Sequence, residues 1–451
     1  MIFLREALRL LLLLSAVLVE AQYQWMANLD QVLKSSRTDE GLRTGILDGV
    51  GSDFPCGEIA ATTAKTVHQL APSAVKVVAA LGDSITAALG ARARTILTAL
   101  VEYRGVSWSI GGDGDLSTVT TVPNIIKHYS KTLKGFSVST GAENTADAKF
   151  NQAVSGAVSQ TLPSQAETLI SLIQNDGSIN IALDWKVVTI WIGGNDLCAY
   201  CENRTQYSPE RYVLNIQQTL DILQTKLPRT FVNLVQILDV TKLAPLSSPW
   251  CDLVHSVVCR CATTGSAEDR QVTSEASHMY QAAVQRLIDS GRYDNTDDFT
   301  VVLQPFVSGI ELPNKDGEPD KSYFAPDCFH FSTKGHKEMA VGLWNNMMEA
   351  EGQKTLGWNL DQPLKCPNMY APYFYTKKNS PAQKFGVNYA SEEDGQSGSP
   401  NLLPVYLGVG VGTGVLALVV VVLVVGVVIR KRRQRKEGER IPLVYKKSID
   451  M

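Results

Sequence analysis

Residues 75–84 read Val75-Lys-Val-Val-Ala-Ala-Leu-Gly-Asp-Ser84. A short run of β-branched and small apolar residues closed by a Gly-Asp turn predicts a buried strand, and a helix is expected to begin near Ile85. Further Val/Ile-rich runs at 185–192, 230–240 and 299–304 predict more strands. Helical patterns over 163–173, 212–226, 268–290 and 333–349 lie between and after them. Strands alternating with helices specify an α/β domain whose mainly parallel sheet is covered on both faces. A serine at the carboxyl end of such a strand faces the crevice where α/β folds bind ligands.

The chain has 451 residues, 44% hydrophobic and 19% charged, with 42 Lys+Arg against 45 Asp+Glu and a formal net charge of −3. That balance argues against a nucleic-acid binder, and 34 Gly with 19 Pro are too few for a collagenous or disordered chain. The charge is polarised: residues 430–451 carry nine Lys/Arg and three Asp/Glu, so this tail is +6 and the remainder −9. Uncharged residues 405–429 are long enough to cross a bilayer, and Arg430-Lys-Arg-Arg433 follows them directly. The positive-inside rule then places the tail in the cytoplasm and the bulk outside, a single-pass type I topology at the plasma membrane. Residues 1–21 carry Arg5 and Arg9 before an apolar run and read as a secretory signal peptide. Gly408/Gly412 and Gly410/Gly414 have the spacing that lets helices approach, which allows homodimerisation through the span.

Eight cysteines lie between these two segments, an even number consistent with disulfides whose pairing the spacing leaves open. Cys198 and Cys201 form a CxxC with no second pair at zinc-ribbon spacing, so a structural role is expected and no metal site. Asn203-Arg-Thr205 is a glycosylation sequon. Asp113-Gly-Asp115 lacks the further ligands of a calcium loop and reads as a turn.

No G-x-S-x-G elbow, P-loop or H-E-x-x-H is present. Ser84 needs a general base to act as a nucleophile, and Asp327-Cys-Phe-His330 supplies a histidine with a carboxylate three residues before it. The aspartate can orient the imidazole while the other ring nitrogen takes the serine proton. His336 is assigned to the following helix. Asn151-Gln-Ala-Val-Ser-Gly156 precedes a helix, and Gly193-Gly-Asn195-Asp follows a strand. The Gly156 N–H and the Asn195 amide are donors of the kind an oxyanion requires.

A block serine, a glycine, an asparagine and a late histidine in that chain order resemble the GDSL/SGNH hydrolase superfamily. Within it, Val77-Val-Ala-Ala-Leu-Gly-Asp-Ser84, Gly111-Gly-Asp113, Ser117-Thr-Val-Thr-Thr121, Gly193-Gly-Asn-Asp-Leu-Cys198, Ser290-Gly-Arg-Tyr293 and Phe324-Ala-Pro-Asp-Cys-Phe-His330 are similar to the membrane-associated phospholipase B group. The similarity runs from about residue 67 to 367. It implies an SGNH-type three-layer α/β/α fold with Ser84, Asp327 and His330 catalytic and Gly156 and Asn195 in the oxyanion hole. It also implies calcium-independent cleavage of glycerophospholipid and lysophospholipid acyl esters at the cell surface, without a cofactor. Larger members of the group carry tandem domains, whereas this chain has one. Thr86-Ala-Ala-Leu-Gly90 departs from a more glycine-rich family stretch.

The expected organisation is therefore a signal peptide (1–21), an N-terminal segment (22–71), the hydrolase domain (72–367), a juxtamembrane stalk (368–404), the transmembrane helix (405–429) and the cytoplasmic tail (430–451). Alternative functions on the same residues are an esterase of retinyl esters, glycerides or acetylated sugars, and a non-catalytic surface receptor on a hydrolase scaffold. The latter would have been free to lose a triad member.

Overall fold

The computed structural model describes residues 51–59 and 63–381. The expected signal peptide, the span 405–429 with its glycine spacing, and the basic tail lie outside them. Among the described residues no helix is long and apolar enough to cross a membrane.

Four strands, β1 (Val75–Gly82), β2 (Trp185–Trp191), β3 (Thr230–Val235) and β4 (Phe299–Gln304), pair in parallel in that order. Every residue of these four strands except Lys76 is buried, which is why the runs are predominantly apolar rather than alternating. Each fully buried Val, Leu or Ile contributes about 1.5–3 kcal/mol. On the free side of β1, Lys134 and Asn151 make parallel bridges to Val77 and Ala80. The chain thus leaves β1 first to one side and later to the other. The carboxyl end of β1 is the switch point at which such sheets open a crevice.

The helices are α1 (Val122–Tyr129), α2 (Leu162–Asn175), α3 (Gly194–Cys198), α4 (Pro209–Lys226), α5 (Pro249–Val258), α6 (Ala267–Asp289) and α7 (Thr333–Met347). Helices α2, α4 and α6 pack side by side, while α1 touches α7, with the Tyr129 and Trp344 rings stacked. Side-chain caps set several starts: Ser208, Ser248 and Ser332 accept the N–H of Arg211, Cys251 and Gly335. Ser266 and Asp269 form a capping box at α6.

The helix expected after Ser84 does not form. One turn closes from Ala87 N–H to the Asp83 carbonyl, but Ala88 and Gly90 then take left-handed φ values of +56° and +72°. Gly90 N–H bonds instead to Val101 and Tyr103 N–H to Ala88, so this stretch pairs with residues 101–103. Strand β3 stops at Val235 rather than 240. Helices α1, α3 and α5 were not among the expected helices, although Val122, Ile125, Ile126 and Tyr129 of α1 recur at helical spacing.

The packed domain also exceeds the boundaries expected at 72 and 367. Val67, Leu70 and Phe374 are fully buried, and Phe374 N–H donates to the Leu70 carbonyl at 2.9 Å. The disulfides are Cys56–Cys366, Cys198–Cys259, Cys201–Cys261 and Cys251–Cys328. The CxxC cysteines therefore bond side by side to the loop after α5 and not to each other. Among the described residues no cluster of His, Cys, Asp or Glu is arranged to hold a metal ion.

Candidate active site

Ser84 stands two residues beyond the last residue of β1. The end of that strand is held from both sides. A Cβ on Gly82 would come within 2.5 Å of the Trp191 carbonyl oxygen, so only glycine lets β1 and β2 close up there. The Gln165 amide on α2 both accepts from Gly82 N–H and donates to its carbonyl, each at 2.9 Å.

His330 arrives from the other end of the chain on a loop closed by Ala325 N–H to its own carbonyl, just before the Ser332 cap of α7. Its Nε2 lies 2.8 Å from Ser84 Oγ and its Nδ1 lies 2.6 Å from Asp327 Oδ2. Asp327 Oδ1 accepts the backbone N–H groups of Phe329 and His330 at 3.1 and 3.0 Å. All three side chains are nearly buried. Burial alone would raise the Asp327 carboxyl, but the His330 ring and these hydrogen bonds outweigh it and hold the group below the ordinary carboxylate range. The carboxylate therefore stays ionised at neutral pH, where it can accept the imidazole N–H.

Asn195 lies in the first turn of α3 and lines the same cleft as Ser84, with its Nδ2 donating to the Ala157 carbonyl at 2.9 Å. Gly156 lies on the adjacent loop with φ +82°, exposed, with nothing within 4 Å of where a Cβ would stand. That loop is pinned to β1 by Val154 N–H on the Gly82 carbonyl. Asn203 is exposed, its amide donating to Gln206 Oε1.

Several residues of this neighbourhood carried no readable motif. Fully buried Arg104 donates to the carbonyls of Gly141, Asn151 and Ala153 and pairs with Glu102, whose other oxygen accepts from Ser155 Oγ at 2.6 Å. One guanidinium thus shapes the loop that carries Gly156. Asp196 accepts from both the N–H and the hydroxyl of Ser159, tying α3 to the same loop. Apolar walls from Trp191, Ile237, Leu238, Leu243, Phe329 and Phe331 line a narrow cleft beside Ser84. Ile237 and Leu238 reach it because β3 ends early. His336 lies in α7, buried, with its ring accepting the Trp108 N–H; burial, with His330 nearby, pushes it down to about 3, so it stays neutral. Asp113 pairs with Arg92 and accepts Ser139 N–H, while Asp115 accepts from Ser117, so both carboxylates are engaged within the fold.

Burial pushes the Asp83 carboxyl up to about 6, against the pull of the Ile85 N–H. Between pH 3.8 and about 6 the folded chain keeps a proton that the unfolded chain has lost, so this group's contribution to stability falls as pH rises through that window. In urea unfolding, Asp83→Asn should gain about 2 kcal/mol on wild type between pH 4 and pH 7. A difference that does not change with pH would mean an unperturbed carboxyl.

An arrangement of this kind is capable of acyl transfer. Residues 78–343 match the family model described as GDSL-like Lipase/Acylhydrolase. The chain is 44% identical over 363 residues to mouse "Phospholipase B1, membrane-associated" and 43% identical over 330 residues to the human protein of that name. These alignments cover 78% and 71% of this chain. The chain spans less than a quarter of those relatives, 24% and 23% of their lengths. Among solved structures it is similar to an extracellular lipase from Streptomyces rimosus (TM-score 0.30, 17% identity, 60% of this chain and 99% of that one). A phospholipase A1 from Streptomyces albidoflavus gives a TM-score of 0.27 at 14% identity, over 60% of this chain and 99% of that one.

Proposed function

The chain belongs to the GDSL-like lipase/acylhydrolase family, and from that premise we propose that it hydrolyses fatty-acyl esters of glycerophospholipids and lysophospholipids. The observation that carries the reading is the unbroken line Ser84 Oγ–His330–Asp327 opening beside an apolar cleft. The curated relatives named phospholipase B1 favour phospholipids over other esters.

Ser84 attacks the ester carbonyl as its proton passes to His330 Nε2, while Asp327 stabilises the imidazolium through the Nδ1–H bond. The oxyanion forms within reach of the Ser84 and Gly156 N–H groups and the free N–H of the Asn195 amide, whose other N–H is spent on Ala157. Collapse expels the alcohol, which is the lysolipid or the glycerophospho-head portion and takes the His330 proton. Water deprotonated by His330 then attacks the acyl-enzyme and releases the fatty acid, restoring Ser84. Burying acyl carbons against Trp191, Leu238 and Phe331 contributes about 0.8 kcal/mol per methylene. Every proton transfer is served by these side chains, so the reaction is proposed as calcium-independent. The site is proposed to work outside the cell, on a type I membrane protein anchored by residues 405–429, with a glycan on Asn203.

Fatty-acid release from phosphatidylcholine and lysophosphatidylcholine, measured in EDTA, tests the proposal. Release from both lipids is expected. Labelling of Ser84 by a fluorophosphonate with neither lipid cleaved would keep the chemistry and discard the substrate, while absence of both would favour a non-catalytic surface protein.

A further inference from the structure

A second buried histidine touches the acid–base loop. His255 lies in the last turn of α5 and is 1% exposed. Its Nε2 stands 2.9 Å from the carbonyl oxygen of Cys328. A carbonyl only accepts, so the ring carries its proton on Nε2 and donates. Burial pushes this ring below the ordinary histidine range, which leaves it neutral at pH 7.

The Cys328 carbonyl belongs to the same peptide group as the Phe329 N–H, and that N–H donates to Asp327 Oδ1. A peptide group is a rigid plane, so turning its carbonyl turns its N–H with it. Cys328 sits at φ +58°, a left-handed conformation that disfavours a residue with a Cβ. Something must hold it there. Two further contacts from α5 grip the same stretch: the Cys251–Cys328 disulfide, and Trp250 Nε1–H donating to the Pro326 carbonyl at 2.8 Å. The disulfide ties down the Cys328 side chain. It leaves the following peptide plane free to tilt, and among the described residues the imidazole is the side chain from outside this loop that bonds to its carbonyl.

We infer that His255 is a positioning residue for catalysis, which fixes the Cys328–Phe329 peptide through its carbonyl and so aims the Asp327 carboxylate at His330. The inference rests on the proposed roles of Ser84, Asp327 and His330. His255 is not among the residues lining the cleft, so its influence falls on turnover rather than on lipid binding.

The test compares His255→Phe, which fills the space without a donor, with His255→Gln, whose amide N–H can still reach the Cys328 carbonyl. The full chain is assayed for lysophosphatidylcholine hydrolysis and for the rate of fluorophosphonate labelling. His255→Phe should lower kcat and labelling about 10–100-fold with KM unchanged, since a small misplacement of a reacting group costs that much. His255→Gln should restore both to within about threefold of wild type. A purely packing role would not give this rescue. Equal kcat in the two variants, or a loss confined to KM, would overturn the inference while wild-type activity upheld the triad. A wild type that neither labels nor hydrolyses would overturn both. Should the Phe variant fail to accumulate, His255→Met provides the donor-free side chain, and the same comparison decides.

Discussion

Ser84→Ala should lower kcat for fatty-acid release on the order of 10⁶-fold. The hydroxyl oxygen lies 2.8 Å from His330 Nε2 and is the one oxygen on that ring nitrogen, so no neighbouring group inherits its role. Thr86, two residues on, has its own hydroxyl buried without a partner, away from the His330 ring. Alanine at position 84 keeps the backbone of the turn and removes a single buried atom, so folding is expected to survive, with unfolding in urea close to that of wild type. Activity that persists would come from the cleft and the oxyanion donors alone, on the order of 10³–10⁴ over water. A variant retaining more than about a hundredth of wild-type kcat on lysophosphatidylcholine would remove Ser84 from the mechanism, given the size of effect expected of a nucleophile.

Asp327→Asn should cost about 10⁴ in kcat with little change in the fold. The reason lies in how the carboxylate is held. Oδ1 accepts two backbone N–H groups, from Phe329 and His330, and Oδ2 faces His330 Nδ1. An asparagine must turn its oxygen to the two N–H groups, because an NH₂ there would leave both unsatisfied. Its NH₂ then faces the imidazole and makes Nδ1 an acceptor. The ring proton moves to Nε2, the atom that has to take the proton from Ser84. Steady-state turnover and fluorophosphonate labelling should therefore fall together, with KM nearly constant. Loss of lipid binding with labelling unchanged would instead assign Asp327 to substrate contact.

The four strands and the Asp327–His330 pair were legible because their signals are local. Strands β1, β2 and β4 are mostly apolar runs, buried except at Lys76, and the aspartate lies three residues from its histidine. The helix expected after Ser84 was misread because Thr86-Ala-Ala-Leu carries good helix formers. Tertiary pairing with residues 101–103 offered the backbone better partners there. Helix α5 was missed since only Cys251 and His255 of its ten residues are buried, and three of its apolar residues, Leu253, Val257 and Val258, face outward.

What the amino-acid order determined by itself was the α/β class, the position of Ser84 at a strand end, and the closeness of Asp327 to His330, since each depends on neighbours a few residues apart. The tertiary structure alone decided which cysteines pair, that Arg104 and Glu102 shape the Gly156 loop, that Gln165 clasps Gly82, and that α5 grips the peptide beside Asp327. Those contacts join residues separated by up to 310 positions. Buried polar groups take whatever partner the packed backbone presents, and no local pattern records which partner that will be.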